Sequence, residues 1–313
     1  MTSVCIYFQV HQPYRLRHYT VFDVGRNSHY FDHNKNKSVM EKVAHKCYRP
    51  ATQTILELLH RHKDFKVSFS LSGVVVDQME EWAPDVIDLF REMARTGRME
   101  FLSETYYHSL SFLYSKDEFW NHVKLHRDKI KKVFGVEPVN VFRNTELVFT
   151  NELAMELEKK GYKGVLAEGA DRVLGWRSPN YLYNSVCSNK VKLLLKNYRL
   201  SDDVAFRFSE KSWAGWPLTA DTYANWLGDS PGDVINLFMD YETLGEHQWE
   251  DTGIFEFLRH LPAELEKKQH ISYMLPSEVA ERFDPVGELD IHAPLSWADT
   301  ERDLSAWVGN RMQ

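Results

Sequence analysis

Five short stretches of the chain place acids, imidazoles or amides directly after an apolar run. His11-Gln12-Pro13 follows residues 4–10. Glu104, Tyr106, Tyr107 and His108 follow residues 99–103. Arg143, Asn144 and Glu146 close residues 139–143, Glu168 follows 164–167, and Asp240, Tyr241 and Glu242 follow 234–239. Each has a plain structural use. His11 could be a satisfied buried histidine, Glu146 could cap the next helix, and Glu168 and Glu242 could be ion-pair partners. Asp240 ends the strongly apolar run VINLFMD. Burying an unpaired acid there costs several kcal/mol, so a cleft-facing position is the cheaper reading. Two carboxyl groups from different strand ends suit glycoside hydrolysis. One attacks the anomeric carbon or supports a water, and the other holds a proton for the leaving oxygen. Phe, Tyr and Trp make up 13% of the chain, with nine Trp. Such side chains pack cores, and they also make flat platforms for sugars or bases.

The elements that must position these residues alternate in type. Residues 4–10, 66–71, 99–103, 139–143, 164–167, 191–196 and 234–239 read as strands, rich in β-branched and aromatic residues. Amphipathic helical segments separate them at 51–62, 84–96, 116–134 and 151–160, with Asn151 as a candidate cap. A further helix is expected at 253–268 and a further strand at 271–275. Strands alternating with helices imply crossovers and a parallel sheet. Seven such units predict a closed or nearly closed (β/α) barrel, with a doubly wound open sheet as the alternative. The active site of a parallel barrel lies at the C-terminal strand ends, which is where the polar residues collect. The long connections 169–190 and 197–232 are expected to serve the site.

At 313 residues the chain can bury a sizeable core. Its 43% hydrophobic and 27% charged content is that of a globular protein. A net charge of −7 argues against broad phosphate neutralisation, hence against nucleic acid and anionic membrane surfaces as partners. No apolar run reaches the ~18 residues of a membrane span. Three scattered cysteines without a C-x-x-C argue against a disulfide framework and for a reducing compartment. The opening MTSVCIYFQV lacks a charged n-region and a cleavage site. These features predict a cytoplasmic protein.

The motifs HQP, GRMEFLSETYYH, FRNTELVFTN, MDYETLGEH and APLSWADTERDLSAWVGN occur in this order between Val10 and Asn310. Together they resemble the five conserved regions of glycoside hydrolase family 57, most closely its α-amylase branch. The resemblance implies a (β/α)7 barrel and a retaining mechanism on α-1,4-glucans such as starch, glycogen and maltodextrins. Neither metal nor cofactor is implied. Glu146 takes the nucleophile position and Asp240 that of the general acid/base. His11, Gln12, Tyr107, His108, Arg143, Glu242, Trp297, Asp299 and Trp307 fall at expected substrate-binding positions. His108 stands where other members carry Glu, and Arg143 where other branches carry Trp. The expected division is a catalytic barrel over 1–275 and a C-terminal segment over 276–313. That segment is expected to carry the fifth region, and the helical region that follows the barrel in other members is open between a natural short form and a truncated one.

Three other readings are open. Transfer to a glucan acceptor instead of water would make a 4-α-glucanotransferase on the same site. A metal-dependent polysaccharide deacetylase on a similar barrel would use H-x-x-x-H spacings, which occur at His122/His126 and His29/His33. His122 and His126 fall in a helix, however, and the first strand lacks the expected Asp pair. A non-catalytic glucan-binding protein is disfavoured by the presence of both acids. The sequence leaves the oligomeric state open.

Overall fold

The computed structural model describes residues 1–298 and 300–308. Its strands are β1 (Thr2–Val10), β2 (Val67–Leu71), β3 (Met99–Ser103), β4 (Val139–Arg143), β5 (Gly164–Glu168), β6 (Tyr183–Ser185), β7 (Ser188–Lys196), β8 (Val234–Asp240), β9 (Ile271–Tyr273) and β10 (Glu288–Leu289). Strands β1, β2, β3, β4, β5, β7 and β8 are parallel and form a closed ring. β8 pairs β1 from Ser3↔Val234 to Gln9↔Asp240, and meets β7 at Lys196↔Asn236. Closure rules out the open sheet. β6 runs antiparallel to β7 and β10 pairs β6, extending the sheet beyond the ring, while β9 pairs the start of β1.

Side chains alternate along a strand, and the barrel sorts them accordingly. Cys5 and Tyr7 of β1, Leu102, Val141, Leu166, Leu194, and Val234 and Phe238 of β8 share one buried inner cluster. Their neighbours Val4, Ile6, Phe8, Ile235 and Leu237 pack outward with the surrounding helices. Helix Pro276–Arg282 joins the inner cluster through Val279 and Ala280. It is tied to β3 by the Glu100 carboxylate, which accepts from the Ser277 backbone N–H at 3.0 Å and from its hydroxyl.

The strands and helices expected at 99–103, 139–143 and 116–134 have those bounds. The helix after β4 is Asn151–Lys159, but its cap is Thr150, whose hydroxyl accepts from Leu153 N–H at 3.4 Å. The Asn151 side chain instead reaches Asp290 and the Ile291 backbone. Helix Gly73–Trp82 had no helical signature, because it opens with a glycine and three valines, a strand-like run. Ser72 caps it and all three valines are buried, so packing overrides propensity. The long connections carry helices Asp171–Leu174, Tyr198–Ala205 and Ala220–Asp229. No helix among the described residues is long and apolar enough to cross a membrane.

Candidate active site

The inner rows of the barrel change character at their upper ends. Gln9, Ser70, Arg143, Glu168, Lys196 and Asp240 lie in the last two positions of their strands, and Glu104 follows β3 directly. They bond to one another across the barrel. Ser70 donates to Gln9 Oε1 at 2.7 Å, and Gln9 Nε2 donates to Glu104 Oε1 at 3.3 Å. Buried polar groups carry a desolvation cost unless paired, and this layer pairs most of its members.

Glu146 stands on a one-turn segment, Thr145–Leu147, directly beyond β4. Its φ is +56°, that of Leu147 is +52°, and that of His108 is +51°. Left-handed backbone costs a non-glycine residue about 1 kcal/mol or more, and such strain gathers where surrounding structure over-determines a site. Here the surroundings do so. The Glu146 carbonyl accepts from Trp297 N–H at 3.1 Å and from the Ser296 hydroxyl at 3.0 Å. Its carboxylate accepts from the Trp297 indole at 2.9 Å, and its other oxygen lies 2.8 Å from His108 Nε2.

These contacts decide the charge. Burial would raise the Glu146 pKa, but His108, Arg143 and the indole outweigh it and hold the carboxyl at about 2. Burial would likewise neutralise His108, yet Glu104 and Glu146 flank its ring and raise its pKa. Asp240 goes the opposite way: burial first, then the Glu146 charge, push its pKa up. Glu146, Asp240, Trp297, Phe206, His247 and Lys196 line one cleft of about 210 Å³. Both acids are partly exposed there, so neither is sealed in a dry core. A carboxyl group with a depressed pKa and one with a raised pKa thus face the same space.

The other expected site residues are dispersed around this pair. Arg143 is fully buried, with Nη1 3.5 Å from His108 Nδ1 and the guanidinium 5.0 Å from the Trp297 ring centroid. Its Nε and Nη2 have no hydrogen-bond partner among the described residues. The His11 ring stacks on His108 at 4.0 Å and its Nδ1 lies 2.7 Å from the Ser72 hydroxyl. Burial and the neighbouring cations hold His11 neutral, with a pKa near 2. Gln12 donates to Glu242 at 3.3 Å, and Tyr48 donates to the same carboxylate oxygen. Burial and the Asp240 charge raise Glu242 to about 7. Glu242 is buried behind Asp240 and is not among the cleft-lining residues. Tyr107 is exposed against Tyr106 and His122. Trp307 lies on the short helix Ser305–Val308 and does not line the cleft. Asp299 lies outside the described residues.

Sequence reasoning missed Lys196, His247 and Arg302. Lys196 had a usable signal, since it ends the inward row of β7 two residues beyond Leu194. Arg302 had none beyond its place in the fifth motif. It donates to Glu168 at 3.2 Å, to Asp202 at 3.3 Å and to the Trp297 carbonyl at 3.1 Å. Lys196 completes this ion cluster, 2.9 Å from Asp202 and 4.0 Å from Glu168. The two H-x-x-x-H helix histidines serve the scaffold. His126 Nε2 bonds the Leu71 carbonyl at 3.0 Å, and His122 bonds Ser109 and Glu118. Among the described residues no group of three or more His, Cys, Asp or Glu is placed to hold a metal ion.

The architecture defines the class: a closed seven-stranded (β/α) barrel with acids at its C-terminal rim. The model of Glycosyl hydrolase family 57 matches residues 5–292, and the chain belongs to that family. A Methanocaldococcus jannaschii protein named "Putative alpha-amylase" is 49% identical over 98% of this chain and 66% of its own length. An alpha-amylase of Pyrococcus abyssi is 25% identical over 80% of this chain and 37% of its own. The crystal structure of 4-alpha-glucanotransferase from Thermococcus litoralis superposes with a TM-score of 0.71 at 20% identity, covering 95% of this chain and 42% of that one. The chain therefore spans about two thirds or less of the length of these relatives.

Proposed function

We propose that the chain is a retaining glycosidase of the α-amylase type acting on α-1,4-glucans. The observation that supports it most is the opposite direction of the pKa shifts of two carboxyl groups, Glu146 and Asp240, on one cleft. An oxygen of the Glu146 carboxylate attacks C1 of the sugar while the C1–O glycosidic bond breaks. Asp240 gives its proton to the departing oxygen. The product is a β-glycosyl ester on Glu146. Forming that ester removes the Glu146 charge that helps raise the Asp240 pKa, so Asp240 is then better suited to act as a base. It takes a proton from water, the water oxygen bonds to C1, and the ester bond breaks. This geometry requires the two carboxyl groups to approach about 5–5.5 Å.

His108 and Trp297 hold Glu146 ionised and aimed. Arg143 and His11 lie within the same cluster and support the charge that moves between Glu146 and the substrate. A glucan hydroxyl in place of water would give a 4-α-glucanotransferase from the same ester. That second reading is favoured by the name of the Thermococcus litoralis structure, which shares the barrel.

Product analysis on maltoheptaose separates these outcomes. Hydrolysis yields shorter oligosaccharides alone; transfer also yields longer ones. Glu146→Gln should fall to background, and Asp240→Asn should lose roughly 10²–10⁴-fold in kcat. Full turnover by either variant contradicts the proposal.

A further inference from the structure

The loop after Asp240 has two sides. Thr243 and His247 line the carboxylate cleft. Gly245 and Trp249, alternating with them along the same loop, line a second and wider groove of about 600 Å³. The loop is pinned as a thin wall, with Leu244 bridged to Gln248 and Gly245 N–H donating to the Gln248 carbonyl at 2.9 Å. The opposite side of the groove is the π-helical turn Ala44–Tyr48 and the start of helix Arg49–Arg61. That turn packs so tightly on the wall that a Cβ on Gly245 would come within 2.0 Å of the Lys46 carbonyl. π turns are rare and concentrate at functional sites.

Trp249 is 58% exposed, yet its ring is held in place. Its indole N–H donates to the Glu246 carbonyl at 3.0 Å, and the Lys46 ammonium lies 5.0 Å from the ring centroid. A large aromatic plane kept in water forgoes the burial that usually stabilises such a side chain. Around it Gln53, His45, Glu250 and Asp251 supply hydrogen-bonding groups. A plane of this kind with polar edges matches a pyranose, which stacks its C–H face and bonds through its hydroxyls. The sizes of the two spaces agree with a division of labour. The cleft, at about 210 Å³, lies below the roughly 300 Å³ at which ligand pockets usually begin, so it suits the reacting end of a chain. The groove lies inside that range.

We propose that this groove is a second glucan-binding site, which holds a remote part of the same chain whose reacting end sits between Glu146 and Asp240. The inference rests on the glucan reading of the cleft. Binding energy from the remote units then serves long substrates and is lost to short ones.

The test compares Trp249→Ala and Trp249→Tyr, each combined with Glu146→Gln to prevent turnover. Calorimetry reads binding of maltoheptaose and maltotriose. The expected result is that Trp249→Ala weakens maltoheptaose binding about tenfold, leaves maltotriose unchanged, and is largely rescued by Trp249→Tyr. Three results overturn the inference: unchanged binding of both sugars, equal weakening of both, or a Tyr variant as weak as the Ala variant. The glucan reading fails separately. In that case the unmodified protein turns over no α-glucan and Glu146→Gln binds neither sugar.

Discussion

His108 is the residue on which the electrostatics of the site turn. It lies between Glu104 and Glu146, 3.5 Å from the first and 2.8 Å from the second. Its raised pKa, together with Arg143 and the Trp297 indole, goes with the depressed pKa of a partly buried Glu146. His108→Asn should therefore raise the Glu146 pKa. A new acid limb in the pH dependence of kcat/KM should appear nearer the usual carboxylate range, with little change in the basic limb. The stability signs follow. The His108 pKa is raised in the fold, so its pairing stabilises fully below its ordinary value of about 6.5 and is lost as pH rises through the folded value. The Glu146 pKa is depressed, so its share is present above the ordinary glutamate value and is lost as pH falls toward about 2. Urea midpoints of the parent and His108→Asn should accordingly differ more at pH 6 than at pH 9. Trp297→Phe keeps the ring and removes one charged hydrogen bond, a loss of about 1.5–3 kcal/mol. Its kcat/KM should fall roughly tenfold or more.

At the scale of elements, the surroundings of Glu146 are made by two segments far apart in sequence. The turn after β4 bends Glu146 into left-handed backbone, and Ser296 and Trp297, held by Leu295 and Arg302, close over it. That second segment is zipped to Phe149 through Leu295, and Ser296 N–H donates to the Arg302 carbonyl at 3.1 Å. Arg302 fastens the segment to Glu168 of β5 and to Asp202 of helix Tyr198–Ala205. Arg302→Gln should loosen Trp297. The expected signature is a fall in kcat with KM nearly unchanged on a short substrate, an acid limb shifted upward, and partial rescue by Arg302→Lys. A fall in urea midpoint without these kinetic changes would assign Arg302 to the scaffold alone. Much at this scale was legible. The period-2 rows and their polar ends put Glu146, Asp240, His11 and His108 at one rim, because inward rows run out of apolar residues there, and the structure brings these four residues together. The clamp of Arg302 on the loop was not legible, because a hydrogen-bond network across more than 130 residues leaves no local pattern. Helix Gly73–Trp82 was hidden for a different reason, its valines being placed by burial rather than by helical preference.

The whole molecule depends on closing the ring. The β7–β8 seam has a single ladder pair, Lys196↔Asn236. Side chains reinforce it: buried Asn236 donates to the Leu195 carbonyl at 2.9 Å, and Ser201 Oγ accepts from Phe238 N–H at 3.2 Å. Asn236→Leu should cost about 1–3 kcal/mol by leaving the Leu195 carbonyl unpaired, read as a lower urea midpoint. The seven-stranded barrel itself was readable from the alternation of strands and helices, whereas the sparse seam was not, because pairing across a barrel closure is set by strand stagger. Closure brings β4 and β8 to the same rim, and with them the two acids on which the account rests. Trapping with a 2-fluoro glucosyl fluoride, followed by peptide mapping, tests that account most directly. One covalent sugar is expected, on the peptide containing Glu146; in Asp240→Asn it still forms, because fluoride departs without a proton, and it persists longer, because no base activates water. Labelling at any other residue, or active turnover with no trapped ester, would contradict the account.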